Sequence, residues 1–347
     1  MLSENSCSMP WVHLHVDTRG NVKACCSSNI VFGNLNNQTL TDIWNGDSIK
    51  KFRINTLNNI KDKRCGVCWK REDAGKSSLR VETNTKFKDV DLAKLKAPVY
   101  LDIRFSNVCN LKCLTCWHGA SSSWFSEAKI KGTNWGDKAV IKATENNDLL
   151  LDQILEFSDD ILEIYFAGGE PLMMEEHYAL LEELLKRGKQ KTFLRYNTNL
   201  TMLSFKDKSL LELWHDFENI EVAVSVDALG KDCEEIRRGL KWGPFIANCR
   251  KVSSLENVKF VIAPTISSLN IHSLHELHKF FYSQELIAID DIYFNTLDRP
   301  FEFSVKSIKE KPEINKLMGE YIEWLYKKKA SKYIINEVLA ILNYMNG

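Results

Sequence analysis

The chain has 347 residues, enough to bury a sizeable core, and its length predicts about two domains. With 44% hydrophobic and 27% charged residues it is not a disordered chain. Lys+Arg and Asp+Glu both total 46, so no net charge advertises a polyanion, which disfavours a dedicated nucleic-acid binder. No stretch approaches the roughly 18 apolar residues of a membrane helix. The start, MLSENSCSMPW, lacks the blocks of a signal peptide, so a cytoplasmic protein with no membrane partner is expected. In that compartment disulfides are not expected. Eight of the ten cysteines lie before residue 117, in three groups, which points to metal.

Residues 1–78 are rich in Cys, Asn and turn formers and read as a small Cys-rich module. It opens with CSMPWVHLHVDTRGNVKAC, a C-x12-G-x4-C pattern from Cys7 to Cys25. Gly20 fits the turn of a hairpin that returns Cys25 towards Cys7; Cys26 is a spare that could replace Cys25. RCGVCW then supplies Cys65 and Cys68 in C-x2-C spacing. Four thiolates in a closed set suit structural zinc or a fully ligated cubane, and the residues by themselves favour zinc. Residues 79–98 are mostly polar and read as a connector ending at Pro98.

From 99 to 300, apolar runs alternate with helical patterns. VYLDIRF (99–105), ILEIYFAG (161–168), TFLRYNTN (192–199), IEVAVSVDA (220–228), VKFVIAPTI (258–266) and IDDIYFNT (289–296) read as strands. MEEHYALLEELLKRG (174–188), KSLLELWHDF (208–217) and IHSLHELHKFFYSQ (271–284) read as helices between them. This alternation implies an α/β protein with right-handed crossovers and a parallel sheet. Six such units suit a partial (β/α)6 TIM-like barrel, although periodicity alone also allows an open doubly wound sheet. Residues 301–347 read as a helical extension with Ile314, Leu317, Met318, Tyr321 and Leu325 on one face. Lys327, Lys328 and Lys329 read as a solvated face, and Cys233 and Cys249 as buried small hydrophobes.

The chemistry concentrates where loops follow strands, the usual active-site rim of β/α architectures. After the first strand comes SNVCNLKCLTCWHGA, with Cys109, Cys113 and Cys116 spaced C-x3-C-x2-C. Three thiolates are one short of a tetrahedral set. Zinc with His118 as fourth ligand is the bland reading, awkward because one residue separates His118 from Cys116. A cubane held by three cysteines instead leaves one iron free. Later strands end in AGGEP (167–171), YNTNL (196–200), VSVDALG (224–230) and APTISSLN (263–270), and EEIRRGL (234–240) follows the fourth.

Together these motifs resemble the radical S-adenosylmethionine (radical SAM) superfamily. The resemblance implies a catalytic [4Fe–4S] cluster on Cys109, Cys113 and Cys116, whose open iron takes S-adenosylmethionine (AdoMet) as its fourth ligand. It further implies that Gly168, Gly169, Glu170 and Pro171 form the turn that holds the methionine amino group. Asn197 and Asn199 correspond to polar contacts near the ribose or reacting carbon. Ser225 and Asp227 resemble the S-x-D-G signature of peptide-modifying members, with Ala228 in place of the glycine. Arg238, next to Arg237, corresponds to the arginine that pairs with the methionine carboxylate, and Asn270 to a frequent family position. Thr115 stands where an aromatic commonly precedes the last cysteine.

The amino-terminal pattern, with FGNL, TLTDIWN and KKFR between its cysteine pairs, resembles the SPASM/twitch modules of radical SAM maturases. That likeness implies a second, auxiliary [4Fe–4S] cluster on Cys7, Cys25, Cys65 and Cys68. Such modules normally follow the barrel; this one precedes it. The expected activity is reductive AdoMet cleavage and hydrogen abstraction from a peptide or protein. A sugar or nucleotide substrate and a zinc-stabilised interaction protein are the alternatives. Flavodoxin or ferredoxin is the expected electron donor.

Overall fold

The computed structural model describes residues 5–73 and 77–347. They fall into two compact units: residues 5–73, 77–108, 140–194 and 216–218 form the first, and 109–139, 195–215 and 219–347 the second. Both are α/β with parallel pairings in their sheets, the fold class the alternating pattern predicts.

The first unit holds His13–Val16 (β1), Asn21–Lys23 (β2), Val31–Asn34 (β3), Tyr100–Ile103 (β4) and Glu163–Phe166 (β5), in the order β3-β2-β1-β4-β5. β1, β2 and β3 pair antiparallel, as adjacent hairpin strands can, whereas β4 pairs in parallel with β1 on one side and β5 on the other. The strand of the Cys-rich module therefore lies in one sheet with the strand that leads to Cys109. Gly20 sits at φ +74°, and a Cβ there would lie 2.2 Å from the Ala143 carbonyl oxygen; only glycine meets both conditions.

Gly66–Asp73 (α1) carries Cys68, and Glu175–Lys186 (α2) buries His177, Tyr178, Leu180, Leu181 and Leu184 along its inner face. The connector is not extended. Leu79–Lys86 is a helix because Ser78 accepts a hydrogen bond from the Val81 amide at its start, and because Arg80 is tied back to Glu72. Phe87, after this helix, joins Met9, Val12, Cys25, Val99 and Tyr100 in one apolar cluster.

In the second unit, Phe193–Thr198 (β6), whose first two residues belong to the first unit, is followed in sheet order by Ile220–Val224 (β7) and Val258–Ile262 (β8). β7 is buried along its whole length, which explains its near-continuous apolar run. The sixth expected strand is broken: Ile292 bridges Ile262, and Asn295–Thr296 pairs with Thr265–Ile266. The Asp291 carboxylate accepts from the Ala288 amide and makes a turn where the run IDDIYF reads as extended. Leu274–Ser283 (α3), Lys311–Lys327 (α4) and Lys332–Asn346 (α5) complete the unit. α4 buries Met318, Tyr321 and Leu325, while Ile314 and Leu317 are half-buried; Lys327, Lys328 and Lys329 are exposed. Cys233 and Cys249 are fully buried. Among the described residues no helix is long and apolar enough to cross a membrane.

Candidate functional site

The loop after β4 presents Cys109, Cys113 and Cys116, all half-buried and none in a disulfide. Its shape is set by its own hydrogen bonds. The Cys116 amide donates to the Cys113 carbonyl at 3.0 Å, Ser121 Oγ to the Leu111 carbonyl, and Ser123 Oγ to the Cys109 carbonyl. Trp124 Nε1 donates to the Cys113 carbonyl. Two sulfurs receive donors: the Leu111 amide (3.4 Å) and Asn199 Nδ2 (3.8 Å) approach Cys109 Sγ, and Arg237 Nη1 (3.8 Å) approaches Cys113 Sγ. Donors at a sulfur stabilise the thiolate and orient it for metal. Burial pushes the Cys116 thiol up to about 12, and it raises Cys113 as well, against the opposing charge of Arg237.

His118 is not a fourth ligand. Its Nδ1 accepts from the Trp135 amide at 3.0 Å, so its Nε2 carries the proton and donates to the Ala139 carbonyl at 3.0 Å. Both ring nitrogens of this buried imidazole hold the segment after the loop in place. The Cys3His zinc reading thus lacks its histidine.

The expected AdoMet residues of this unit serve distinct tasks. Asn199 is buried beside Cys109, with Nδ2 also donating to Asn110 Oδ1 and Oδ1 accepting from Thr201. Asn197 is half-buried on β6, and the Ser225 amide donates to the Thr198 carbonyl. Asp227 is 1% exposed and fully engaged: Arg237 Nε lies 2.8 Å from Oδ2, while Arg237 Nη2 (3.1 Å) and the Thr265 amide (2.7 Å) donate to Oδ1. Asn270 Nδ2 donates to the Asp227 and Thr265 carbonyls, which fixes that corner.

Residues 237–238 form a two-residue ladder with 112–113, Arg237 opposite Cys113 and Arg238 opposite Lys112. Neighbouring ladder positions face opposite ways, so Arg237 is buried and Arg238 exposed. The sequence leaves Arg237 and Arg238 one register step apart as candidates, because adjacent arginines have no visible phase until the partner strand is known.

In the first unit, AGGEP forms a tight turn against the residues just before Cys109. Gly168 (φ +79°) and Gly169 (φ +32°) are left-handed, and a Cβ on Gly169 would sit 2.2 Å from the Val108 carbonyl oxygen. The Glu170 amide donates to that same carbonyl, and its carboxylate accepts from the Leu172 amide as Pro171 opens a short 3-10 turn. Only glycines let the turn pack this closely on the chain just before Cys109.

The module cysteines converge. Cys7, Cys25, Cys65 and Cys68 line one cavity, walled by Phe52, Ile60, Leu79, Trp69 and Arg80. Cys26 is exposed and outside it. Arg80 is fixed by Glu72 and by the Ser6 carbonyl, and its guanidinium lies 4.8 Å from the Trp69 ring, so one cation stands in the cavity wall near Cys7 and Cys68. Burial raises Cys7 to about 12 and Cys65 to about 11, and also raises Cys25. Among the described residues no three His, Cys, Asp or Glu side chains close on a single ion. Four thiols around a shared cavity supply the full ligand set of a cubane. Both cysteine sets therefore fit iron–sulfur clusters.

Comparison with known proteins agrees. Residues 103–281 match the Radical SAM superfamily, and residues 7–69 match SPASM, an iron–sulfur cluster-binding domain. No curated protein matches the chain. Among solved structures, native anSMEcpe with bound AdoMet is 18% identical with a TM-score of 0.49, over 68% of this chain and 63% of that one. Streptococcus suis SuiB bound to S-adenosylmethionine is 16% identical with a TM-score of 0.44, over 93% and 70%. TYW1 with a lysine-pyruvate adduct is 14% identical with a TM-score of 0.35, over 65% and 71%. The chain thus spans less than two thirds of the length of anSMEcpe.

Proposed function

Because the chain belongs to the radical SAM superfamily and carries an iron–sulfur cluster-binding SPASM domain, we propose that it reductively cleaves AdoMet and abstracts a hydrogen atom from a peptide or protein. Held by Cys109, Cys113 and Cys116, a reduced [4Fe–4S] cluster would supply the electron for reductive cleavage of AdoMet, and AdoMet would supply the hydrogen-abstracting group.

The residues supply binding and orientation. Cys109, Cys113 and Cys116 hold the catalytic cluster, and with both nitrogens of His118 occupied, that loop offers no imidazole for the last coordination position. This is the observation that carries the reading. Gly168, Gly169 and Glu170 would receive the methionine amino group, in a turn that lies this close to Val108 and Arg104 only because it carries no Cβ atoms. Asn197 and Asn199 would supply polar contacts near the ribose or the reacting carbon, and Ser225 would belong to the same cofactor site. Asp227 acts through Arg237, fixing a guanidinium beside Cys113, while Arg238 lies on the exposed side of the same ladder.

Cys7, Cys25, Cys65 and Cys68 hold the auxiliary cluster, residues 1–78 being its module and 99–300 the radical SAM barrel. The SPASM domain and the Ser225-x-Asp227 stretch support a peptide substrate. Ten free thiols suit a reducing cytosol, where flavodoxin or ferredoxin supplies the electron.

The test is anaerobic reconstitution with iron, sulfide and dithionite. About eight irons per chain and release of 5′-deoxyadenosine from AdoMet are expected. A chain that binds only zinc and leaves AdoMet intact overturns the reading. Deuterium passing into 5′-deoxyadenosine from a labelled peptide, and not from labelled sugars or nucleotides, decides the substrate class.

A further inference from the structure

Arg104, one residue beyond β4, belongs to neither cysteine set, yet it is firmly held. Its Nε and Nη2 donate to Asp102 Oδ1 (3.0 Å) and Oδ2 (3.3 Å), and Asp102 Oδ2 lies 2.8 Å from His15 Nδ1. Strand register builds this clamp, since His15 of β1, Asp102 of β4 and Tyr165 of β5 are successive partners across the sheet. The Tyr165 ring lies 5.5 Å from the guanidinium carbon. Gly168 closes the remaining side: a Cβ there would come within 2.8 Å of Arg104 Cδ and 2.9 Å of its Cβ. The glycine of the AdoMet turn is thus also the space that Arg104 occupies.

Burial alone would raise the Asp102 carboxyl, but Arg104 and His15 overcome it and hold the group well below the usual carboxylate range. The salt bridge is therefore ionised throughout the physiological range. Its exposure is uneven. The Asp102 and His15 side chains are 2% and 6% exposed, that of Arg104 22%. Asp102 takes the Nε/Nη2 side of the planar fork. Among the described residues Nη1 makes no hydrogen bond, and the part of the side chain left accessible leaves room for a partner at the Nη1/Nη2 end. An arginine held on three sides with one end open is preorganised for planar, two-point recognition of an oxyanion.

We propose that this open end of Arg104 receives an anionic oxygen group of the substrate, a carboxylate or a phosphate, beside the Gly168–Glu170 turn. The inference rests on the radical SAM reading for what lies at that turn. The substrate therefore carries its negative group at a fixed offset from the hydrogen to be removed, and Asp102 and His15 are positioning residues for that contact.

The experiment uses the cluster-loaded, oxygen-protected chain with AdoMet in excess, so that the site for the AdoMet carboxylate is already filled. Calorimetric titrations with succinate and with inorganic phosphate separate the two chemistries. One of the two anions is expected to bind saturably at a single site. Arg104→Gln should weaken it about tenfold or more, the loss of a charge-assisted two-point contact. Arg104→Lys keeps the charge next to Asp102 and decides the matter if the Gln variant does not fold; it should weaken binding several-fold by losing the fork. No saturable binding of either anion to the wild type, or wild-type affinity in Arg104→Lys, overturns the proposal. AdoMet cleavage by the same wild-type sample reports separately on the parent reading: cleavage without Arg104-dependent anion binding sinks only this inference.

Discussion

The two cysteine regions solve different problems with the same atom. In the amino-terminal module the four sulfurs come from three separated stretches, around residues 7, 25 and 65–68, and converge on one walled cavity. In the loop after β4, three sulfurs come from eight consecutive residues, and the local histidine is spent on backbone contacts. The first is complete only when the module has folded; the second is nearly complete in the sequence. A saturated set suits storing or passing electrons, whereas an unsaturated one leaves room for a ligand. Each set also faces an arginine bound to a carboxylate, Arg80 with Glu72 and Arg237 with Asp227, which places positive charge near anionic sulfur without leaving a bare cation in the interior.

Removing each set should separate them most sharply. Replacing Cys109, Cys113 and Cys116 together by Ala should abolish 5′-deoxyadenosine formation and remove about four irons per chain. Cys65→Ala with Cys68→Ala should remove the other four and erase a distinct signal in electron paramagnetic resonance of the reduced protein. One indistinguishable signal lost in both variants would break the comparison. Next in size is Arg237→Leu, which strands Asp227 at 1% exposure. A loss of about 3–5 kcal/mol in denaturant unfolding is expected, as for other buried pairs cut on one side.

A smaller effect concerns pH. Because burial raises Cys7 to about 12 and Cys65 to about 11, both thiols are protonated at neutral pH. Metal needs the thiolate, so assembly in the module releases protons, and loading should tighten as pH rises towards those values. The gain is about tenfold per unit for each such thiol, read from proton release in weakly buffered solution. Smallest is Asn199→Ala, which removes the amide donor from Cys109. One hydrogen bond of about 1 kcal/mol corresponds to a catalytic-cluster potential lower by roughly 40 mV in a one-electron couple, and redox titration would show it.

How much of this was legible depended on whether the signal was local. Strands β5 to β8 follow from their apolar runs, and AGGEP ends its strand where the glycines require it. The sixth strand is interrupted and short because Asp290 and Asp291 sit inside an otherwise apolar run, and the Asp291 side chain makes a turn at its start. Contacts set by register were invisible. His15, Asp102 and Tyr165 are far apart in sequence and become neighbours only through two parallel pairings. The same holds for Arg237, whose inward phase depends on facing Cys113. Cys25 and Cys26 are equivalent as letters, and only the folded hairpin sends one into the cavity and the other out.

The parallel pairing of β1 with β4 has a consequence for anyone dividing this protein. Cutting the chain near residue 79 to isolate the carboxyl-terminal part would strip β4 of that neighbour and bare a row of amides and carbonyls from Tyr100 to Ile103. Unprotected edges of this kind recruit other chains. The truncated product should therefore clump, and the amino-terminal stretch is a structural wall as much as a metal carrier.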